Sequence, residues 1–358
     1  MRVVLGDASV FSCGDESTYR SLRRLLEVAA EERHWCDPFD PDVVLASDFA
    51  RQMMGGQSDR ELLQRVLGQA MFAATAGDSV VTEVVYDAPP RRHERGFQVP
   101  ARDVGEWASQ PLKVLMENQS DAILLKLAVA ARRRESDSIP DALQNGHIVV
   151  AGCGGTGELA KAAENCRPVD RVLVVCDSDR DAWTDPPAKK PESIKVHCDG
   201  AHIPVHCLRG REKENYFPLW SLQITERRDQ RPAKVSARAA KKALMYQGLA
   251  DHVIRDRTRW DKNFGAEQVD TVLGELKKKS KTPLPLRSLR DRIAEIKALS
   301  GEERMVADLK AQLGEPFLAK VEMELAEFLE SRSLEAEAFS AQQRDDLDGL
   351  CALLERWL

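Results

Sequence analysis

At 358 residues, 43% hydrophobic and 31% charged with few aromatics, the chain has the composition of a globular protein long enough for two domains. No apolar run approaches the ~18 residues needed to cross a bilayer. The opening Val3-Val4-Leu5 is strand-like and not a signal peptide, so a cytoplasmic protein with no membrane association is expected. The eight cysteines contain no CxxC pair and several lie in strand-like runs, which predicts reduced, structural thiols. The net charge of −6 is unevenly spread: Glu226 to Arg292 holds 18 Lys and Arg against 9 Asp and Glu, while Glu315 onward holds 11 acidic and 4 basic residues. A basic segment beside an acidic cluster fits a protein that attracts a polyanion. A solvated helical surface accounts for such charge runs about equally well.

In chain order, residues 1–108 read as an N-terminal α/β domain with no catalytic signature. Arg2 to Val10 is expected as a strand, and Ser17 to Arg33 as an amphipathic helix carrying Leu22, Leu25, Leu26 and Ala29. A further helix begins at Ser58, with Asp59 and Glu61 in its first turn, where the helix dipole favours acids. Ser79 to Tyr86 is β-rich, and Pro89 to Phe97 breaks the pattern as an exposed basic loop, a linker or a phosphate contact.

Residues 109–230 carry the informative pattern. Leu112 to Met116 reads as a buried strand delivering Glu117, followed by a helix from about Ser120 to Ala131. Ile148 to Ala151 is a second apolar run, closed by Gly152-Cys153-Gly154-Gly155-Thr156-Gly157 and a helix through about Cys166. Val172 to Cys176 is a third, ending in Asp177-Ser178-Asp179. Buried β-branched runs alternating with helices predict βαβ units and a parallel sheet core flanked by helices. Asp185 to Ser193 reads as a loop, and Ile194 to His197 and Ile203 to Cys207 as further short strands. Residues 231–358 form a mainly helical C-terminal region, basic and then acidic. Phe317, Val321, Leu325 and Phe328, then Leu347, Leu350, Leu354 and Trp357, stand at helical spacing as core stripes.

Chemistry in open parallel sheets collects at the carboxyl ends of the strands, and here acids arrive there from at least two. Clustered carboxylates repel one another unless protonated or neutralised by a cation, and oxygen-only ligands favour Mg²⁺ or Mn²⁺. Two such ions about 3.5–4 Å apart activate water and stabilise the leaving oxygen in phosphodiester hydrolysis. Glu117 and Asp121 are assigned to one ion, and Asp177 and Asp179 to the second or to a bridging position. Gly152 and Gly154 let the backbone approach that edge or a phosphate, or simply form a turn. Ser178 is a turn residue or a hydrogen-bond donor.

Two alternatives compete with that metal site. Gly152, Gly154 and Gly157 satisfy GxGxxG between a strand and a helix, with Asp177 about 20 residues further on, the pattern of a Rossmann dinucleotide-binding protein. That reading leaves Asp179, Glu117, Asp121 and Glu214 without roles. His197, Cys198, His202, His206 and Cys207 offer zinc-ligating atoms, but without the spacing of known finger types.

Glu at a strand end, a glycine turn after the next strand and Asp-x-Asp after a third is an arrangement that resembles the Toprim domain, over about residues 112–218. Glu117 and Asp121 resemble the Glu-x-x-x-acid pattern of the overcoming-lysogenization-defect nucleases. Arg211-Glu212-Lys213-Glu214-Asn215-Tyr216-Phe217 is similar to their Glu-Asn-Tyr segment. Asn118 departs from the glycine usual after the first Glu, and GxxxxGK followed by Ser or Thr occurs nowhere. The resemblance implies a metal-dependent endonuclease acting on DNA or tRNA, an anti-phage effector whose partner protein, if ATP controls it, supplies the ATPase. It also implies Glu214 as a completing metal ligand and Lys262, in Arg259 to Gly265, as a catalytic cation. Arg209, Arg211, Arg227, Arg228, Lys277, Lys278 and Lys279 are phosphate-contact candidates with no base-reading signature. A homodimer is compatible with all of this. A Toprim domain reduced to a non-catalytic nucleic-acid-binding or assembly module remains the third reading.

Overall fold

A computed structural model describes residues 2–5, 8–11, 15–31, 34–38, 41–73, 80–94, 96–132, 138–228, 289–331 and 338–358. Two sheets organise them. The first is built from β1 (Arg2–Leu5), α1 (Glu16–Ala30), β2 (Trp35–Pro38), α2 (Pro41–Ala46), α3 (Asp48–Met53), α4 (Gln57–Ala73), β3 (Val81–Val85), β4 (Arg91–His93), β5 (Gly96–Pro100) and α5 (Val104–Ser109). Its strand order is β2-β1-β3-β5-β4, with β4 alone antiparallel to its neighbour. Asp15 caps α1 by accepting the Thr18 N–H at 2.8 Å, a contact worth about 1 kcal/mol. The expected stripe of Leu22, Leu25, Leu26 and Ala29 is buried.

Here one expectation is corrected. Pro89 to Phe97 is no basic loop: β4 pairs with β5 antiparallel, Arg92 opposite Phe97. Arg92 is buried, donates to the carbonyls of Arg167 (3.2 Å) and Asp170 (2.6 Å), and lies over the Phe97 ring. Two prolines before the strand and a glycine after it hide a strand of three residues from any periodicity.

The second sheet follows the expected runs. β6 (Leu112–Met116) leads through a 3₁₀ turn (Gln119–Ala122) into α6 (Ile123–Ala131) and α7 (Ser138–Gln144). Then come β7 (Ile148–Gly152), α8 (Thr156–Glu164), β8 (Val172–Cys176), α9 (Lys189–Gly200) and β9 (Val205–Cys207). All four strands are parallel in the order β7-β6-β8-β9. Every residue of β8 is buried, as a central parallel strand covered on both faces requires. Leu115, Val172, Val174 and Cys176 pack with Leu159 and Ala163 of α8 and Ile194 and Cys198 of α9.

A second correction falls here. Ile194 to His197 lies inside α9, not in a strand. Ile194 and Cys198, four apart, both point into the core, while Val196 is exposed. The apolar signal was one turn of a helical stripe that β-branched neighbours made look extended.

The chain divides into two compact units that do not follow its order. Met1–Asp179, Pro186–Arg209 and Arg344–Leu358 form the first, which therefore contains both sheets. Arg180–Asp185 and Gly210–Gln343 form the second. The second holds α10 (Leu219–Arg228), α11 (Leu289–Ala298), α12 (Gly301–Val306), α13 (Leu309–Leu313) and α14 (Glu315–Ser331). Phe317, Val321 and Leu325 are buried there, and Phe328 meets Trp220 with ring centroids 4.9 Å apart. The last helix, α15 (Ala341–Trp357), gives most of its length to the first unit. Its Leu347, Leu350, Leu354 and Trp357 are buried, and Trp357 meets Phe97 edge-on at 5.5 Å. Both helical stripes are core. No helix among the described residues is long and apolar enough to cross a membrane.

Candidate site at the carboxyl edge of the second sheet

From β6 the chain passes outward to the edge strand β7, then returns across β6 to β8 on the other side. This reversal makes a topological switch point between β6 and β8, where open α/β sheets form their ligand crevice. The pairing of Leu115 with Val174 brings the two strands out at nearly the same level. Glu117 is the residue after β6 and Asp177 the residue after β8. The two expected acids therefore flank the switch point. The Cys176 thiol registers both of them: its pKa is pushed up by a hydrogen bond with Cys207 and by burial, then by the charges of Cys207, Asp177 and Glu117.

Glu117 is held from two sides. The Thr156 hydroxyl, in the first turn of α8, donates to its Oε2 at 3.0 Å. Its backbone carbonyl accepts the N–H groups of Gly154 (2.7 Å) and Gly155 (2.8 Å), and the Met116 carbonyl accepts that of Cys153 (2.9 Å). The Gly152 N–H donates to Gln119 Oε1 at 3.1 Å. A Cβ on Gly152 would stand 2.2 Å from the Gln119 nitrogen, so the turn after Glu117 can cross there only over a glycine. Gly154 and Gly155 have φ of +90° and +119°, which suits residues without a side chain.

These bonds weigh against a dinucleotide at the GxGxxG stretch. In a Rossmann site the turn follows a strand at the switch point and its amides face the pyrophosphate. Here it follows an edge strand, and the amides of 152, 153, 154 and 155 all donate within the protein.

Asp121 is buried, and its Oδ2 accepts the Asn118 N–H at 2.8 Å, closing the turn after Glu117. Asp179 is half-buried at φ +51°, a conformation that short polar residues tolerate. Ser178 is fully buried, and its carbonyl accepts the Ala188 N–H at 2.8 Å, tying the start of the loop to the start of α9. Glu214 belongs to the second unit, in a 3₁₀ turn (Lys213–Tyr216), buried and 3.5 Å from the Lys310 ammonium. The same ammonium stands 3.4 Å from Glu212, whose carboxyl is pushed up to about 7, mainly by burial. Asn215 donates to the carbonyls of Arg304 and Ala307, and Tyr216 accepts the Gly210 N–H, so this segment is tied into its own unit.

Arg209 forms an ion pair with Asp345, and its N–H reaches Asp346 at 2.6 Å. Arg211 bonds Asp181 at 2.6 Å and approaches Asp308 at 3.6 Å. Both are engaged with carboxylates of the protein. Arg227 and Arg228 end α10. Lys262, Lys277, Lys278 and Lys279 lie outside the described residues.

The alternative zinc ligands do not converge: Cys198 faces the core from α9, and His206 on β9 stands 3.1 Å from the buried Asp346. Among the described residues no three His, Cys, Asp or Glu side chains are grouped to hold a metal ion. Thr156 and Gln119 escaped the reading of the sequence. The first sits at a variable position of the glycine motif, and the second is one of many polar turn residues. Comparison with protein-family models, curated proteins and solved structures finds no match to this chain.

Proposed function

We propose that this chain is a divalent-metal-dependent nuclease of Toprim type that hydrolyses phosphodiester bonds in DNA or tRNA. One observation carries the reading: Glu117 and Asp177 end adjacent parallel strands on either side of the switch point of the second sheet. Mg²⁺ is commonly held through one or two carboxylates, water and substrate phosphates, and this pair of carboxylates offers that donor set. Mn²⁺ accepts the same oxygen ligands.

In this reading Glu117 and Asp177 hold the metal, and Asp179 extends the set toward a second ion. When bound, the metal supplies positive charge to the scissile phosphate and acidifies its attacking water. Thr156 keeps the Glu117 carboxylate turned in one direction. Asp121 has a turn-closing role, and any share it takes in metal binding would come through that same turn. Glu214 and Lys262 keep their roles as completing ligand and catalytic cation only through the family resemblance. On the same footing stand a defence role and a controlling partner with an ATPase, and a homodimer stays compatible with the reading.

The test is cleavage of supercoiled plasmid, linear DNA and total tRNA with Mg²⁺ or Mn²⁺, comparing wild type with Glu117→Ala and Asp177→Ala. Cutting by the wild type alone supports the reading and identifies the substrate. Equal cutting by Glu117→Ala sinks it. Nucleic-acid binding without cutting, with the partner system present, favours the non-catalytic module.

A further inference from the structure

We infer that the glycine turn is the cradle of Glu117 and that Thr156 is its positioning residue, an inference that rests on the metal-site reading of Glu117. Of the tasks the sequence left open for this motif, approach to the acidic edge is the one its bonds serve. Three successive amides, of Cys153, Gly154 and Gly155, close on the carbonyls of Met116 and Glu117, fixing the backbone that carries the acid. The Thr156 hydroxyl, 3.0 Å from Oε2, fixes the side chain. Gly152 supplies the clearance for the turn above it, and Gln119 ties that turn back to β7 by accepting the Gly152 N–H. Amides aimed at protein carbonyls are unsuited to a phosphate, whereas a carboxylate held in one rotamer meets a cation without first losing its conformational freedom.

The arrangement also explains the identity of the residue. A hydroxyl at the first position of α8 reaches back to the neighbouring strand end, whereas valine fills the same volume and donates nothing. Serine keeps the donor.

The experiment has a metal-free arm and a metal arm, both on the full chain. Hydrogen exchange of the metal-free protein should show the Cys153, Gly154 and Gly155 amides protected. Exchange at the rate of an open loop overturns the cradle whatever the metal does. Mn²⁺ binding is then followed by the loss of the free-ion electron paramagnetic resonance signal, in wild type, Thr156→Val, Thr156→Ser and Glu117→Ala. Thr156→Val should bind Mn²⁺ about tenfold more weakly, the scale of one hydrogen bond to a charged group. Thr156→Ser should stay within about twofold of wild type, as its donor is kept. Wild-type binding by Thr156→Val, with binding lost in Glu117→Ala, overturns the positioning role and leaves the metal site standing. Equal Mn²⁺ binding by wild type and Glu117→Ala overturns the metal site, and the positioning role with it.

Discussion

Two acidic regions of the molecule look alike in sequence and differ in where the fold places them. In the second unit Glu212 and Glu214 share the Lys310 ammonium, Lys213 pairs with Glu322 at 2.9 Å, and Arg211 reaches both Asp181 and Asp308. At the edge of the second sheet, Glu117 takes its oriented bond from the neutral Thr156 hydroxyl, and its charge and that of Asp177 act on the same Cys176 thiol. Glu212 and Glu214 are thus matched with a lysine inside their own unit. Two acids that leave adjacent parallel strands on either side of a switch point stand where ligands enter such folds. The comparison teaches that counting carboxylates in a motif says less than asking which group each one faces.

The largest expected effect separates the two regions outright. Glu117→Ala or Asp177→Ala should reduce cleavage by about a thousandfold or more, the several kcal/mol that a correctly held metal contributes. Melting temperature should change little, since both residues lie beyond the ends of their strands. Lys213→Met should do the reverse. Its partner Glu322 is largely buried, and leaving that charge unmatched costs about 3 kcal/mol. Denaturant unfolding should show that loss while Mn²⁺ binding is unaffected. A Lys213→Met protein of normal stability that had lost Mn²⁺ binding would abolish the distinction.

Gly152→Ala tests the cradle from the backbone side. The added Cβ would press on the Gln119 nitrogen, and backbone has little room to yield, so a loss of about 1–3 kcal/mol is expected. Unchanged stability would mean that the turn after Glu117 does not lie over this strand.

How much of this was legible in the sequence depends on the range of the interaction. β6, β7 and β8 could be read because a parallel strand buried on both faces is a continuous apolar run. Glu117 and Asp177 followed from them as the first residues beyond the strand ends. β4 was hidden because its burial comes from pairing with β5 and from Arg92 finding carbonyls more than 70 positions away. That Glu214 belongs to a different compact unit from Asp177 was hidden for a related reason: nothing local reveals that Arg180–Asp185 and Gly210 onward pack together. The glycine motif was ambiguous in a third way. GxGxxG records that backbone approaches something closely, and only the fold reveals that the something is the carbonyl of Glu117.

A smaller effect distinguishes the regions by pH. Burial raises the Glu212 carboxyl to about 7 from the ordinary 4.5, so the folded state holds this proton more tightly than the unfolded one. Its contribution to stability is complete below about pH 4.5 and is lost as pH rises through about 7, amounting to at most about 3 kcal/mol. Unfolding of wild type and Glu212→Gln between pH 4 and pH 8 should show that decline only in the wild type. A flat difference between the two proteins across the range would mean that Glu212 titrates as an ordinary surface acid.

The smallest effect concerns the arginines expected to touch phosphate. Arg209 spends its guanidinium on Asp345, and both side chains are more than half exposed, a class of ion pair worth about 0–1 kcal/mol. Arg209→Ala should therefore lower stability by less than about 1 kcal/mol. Its effect on nucleic-acid affinity is the informative part. If the guanidinium remains with Asp345, the dependence of affinity on salt should be the same in variant and wild type. If it swings to a phosphate, the variant's salt slope should fall by about one counterion. Measuring binding across a salt series thus decides whether the first unit contributes this cation to a polyanion or keeps it for its own last helix.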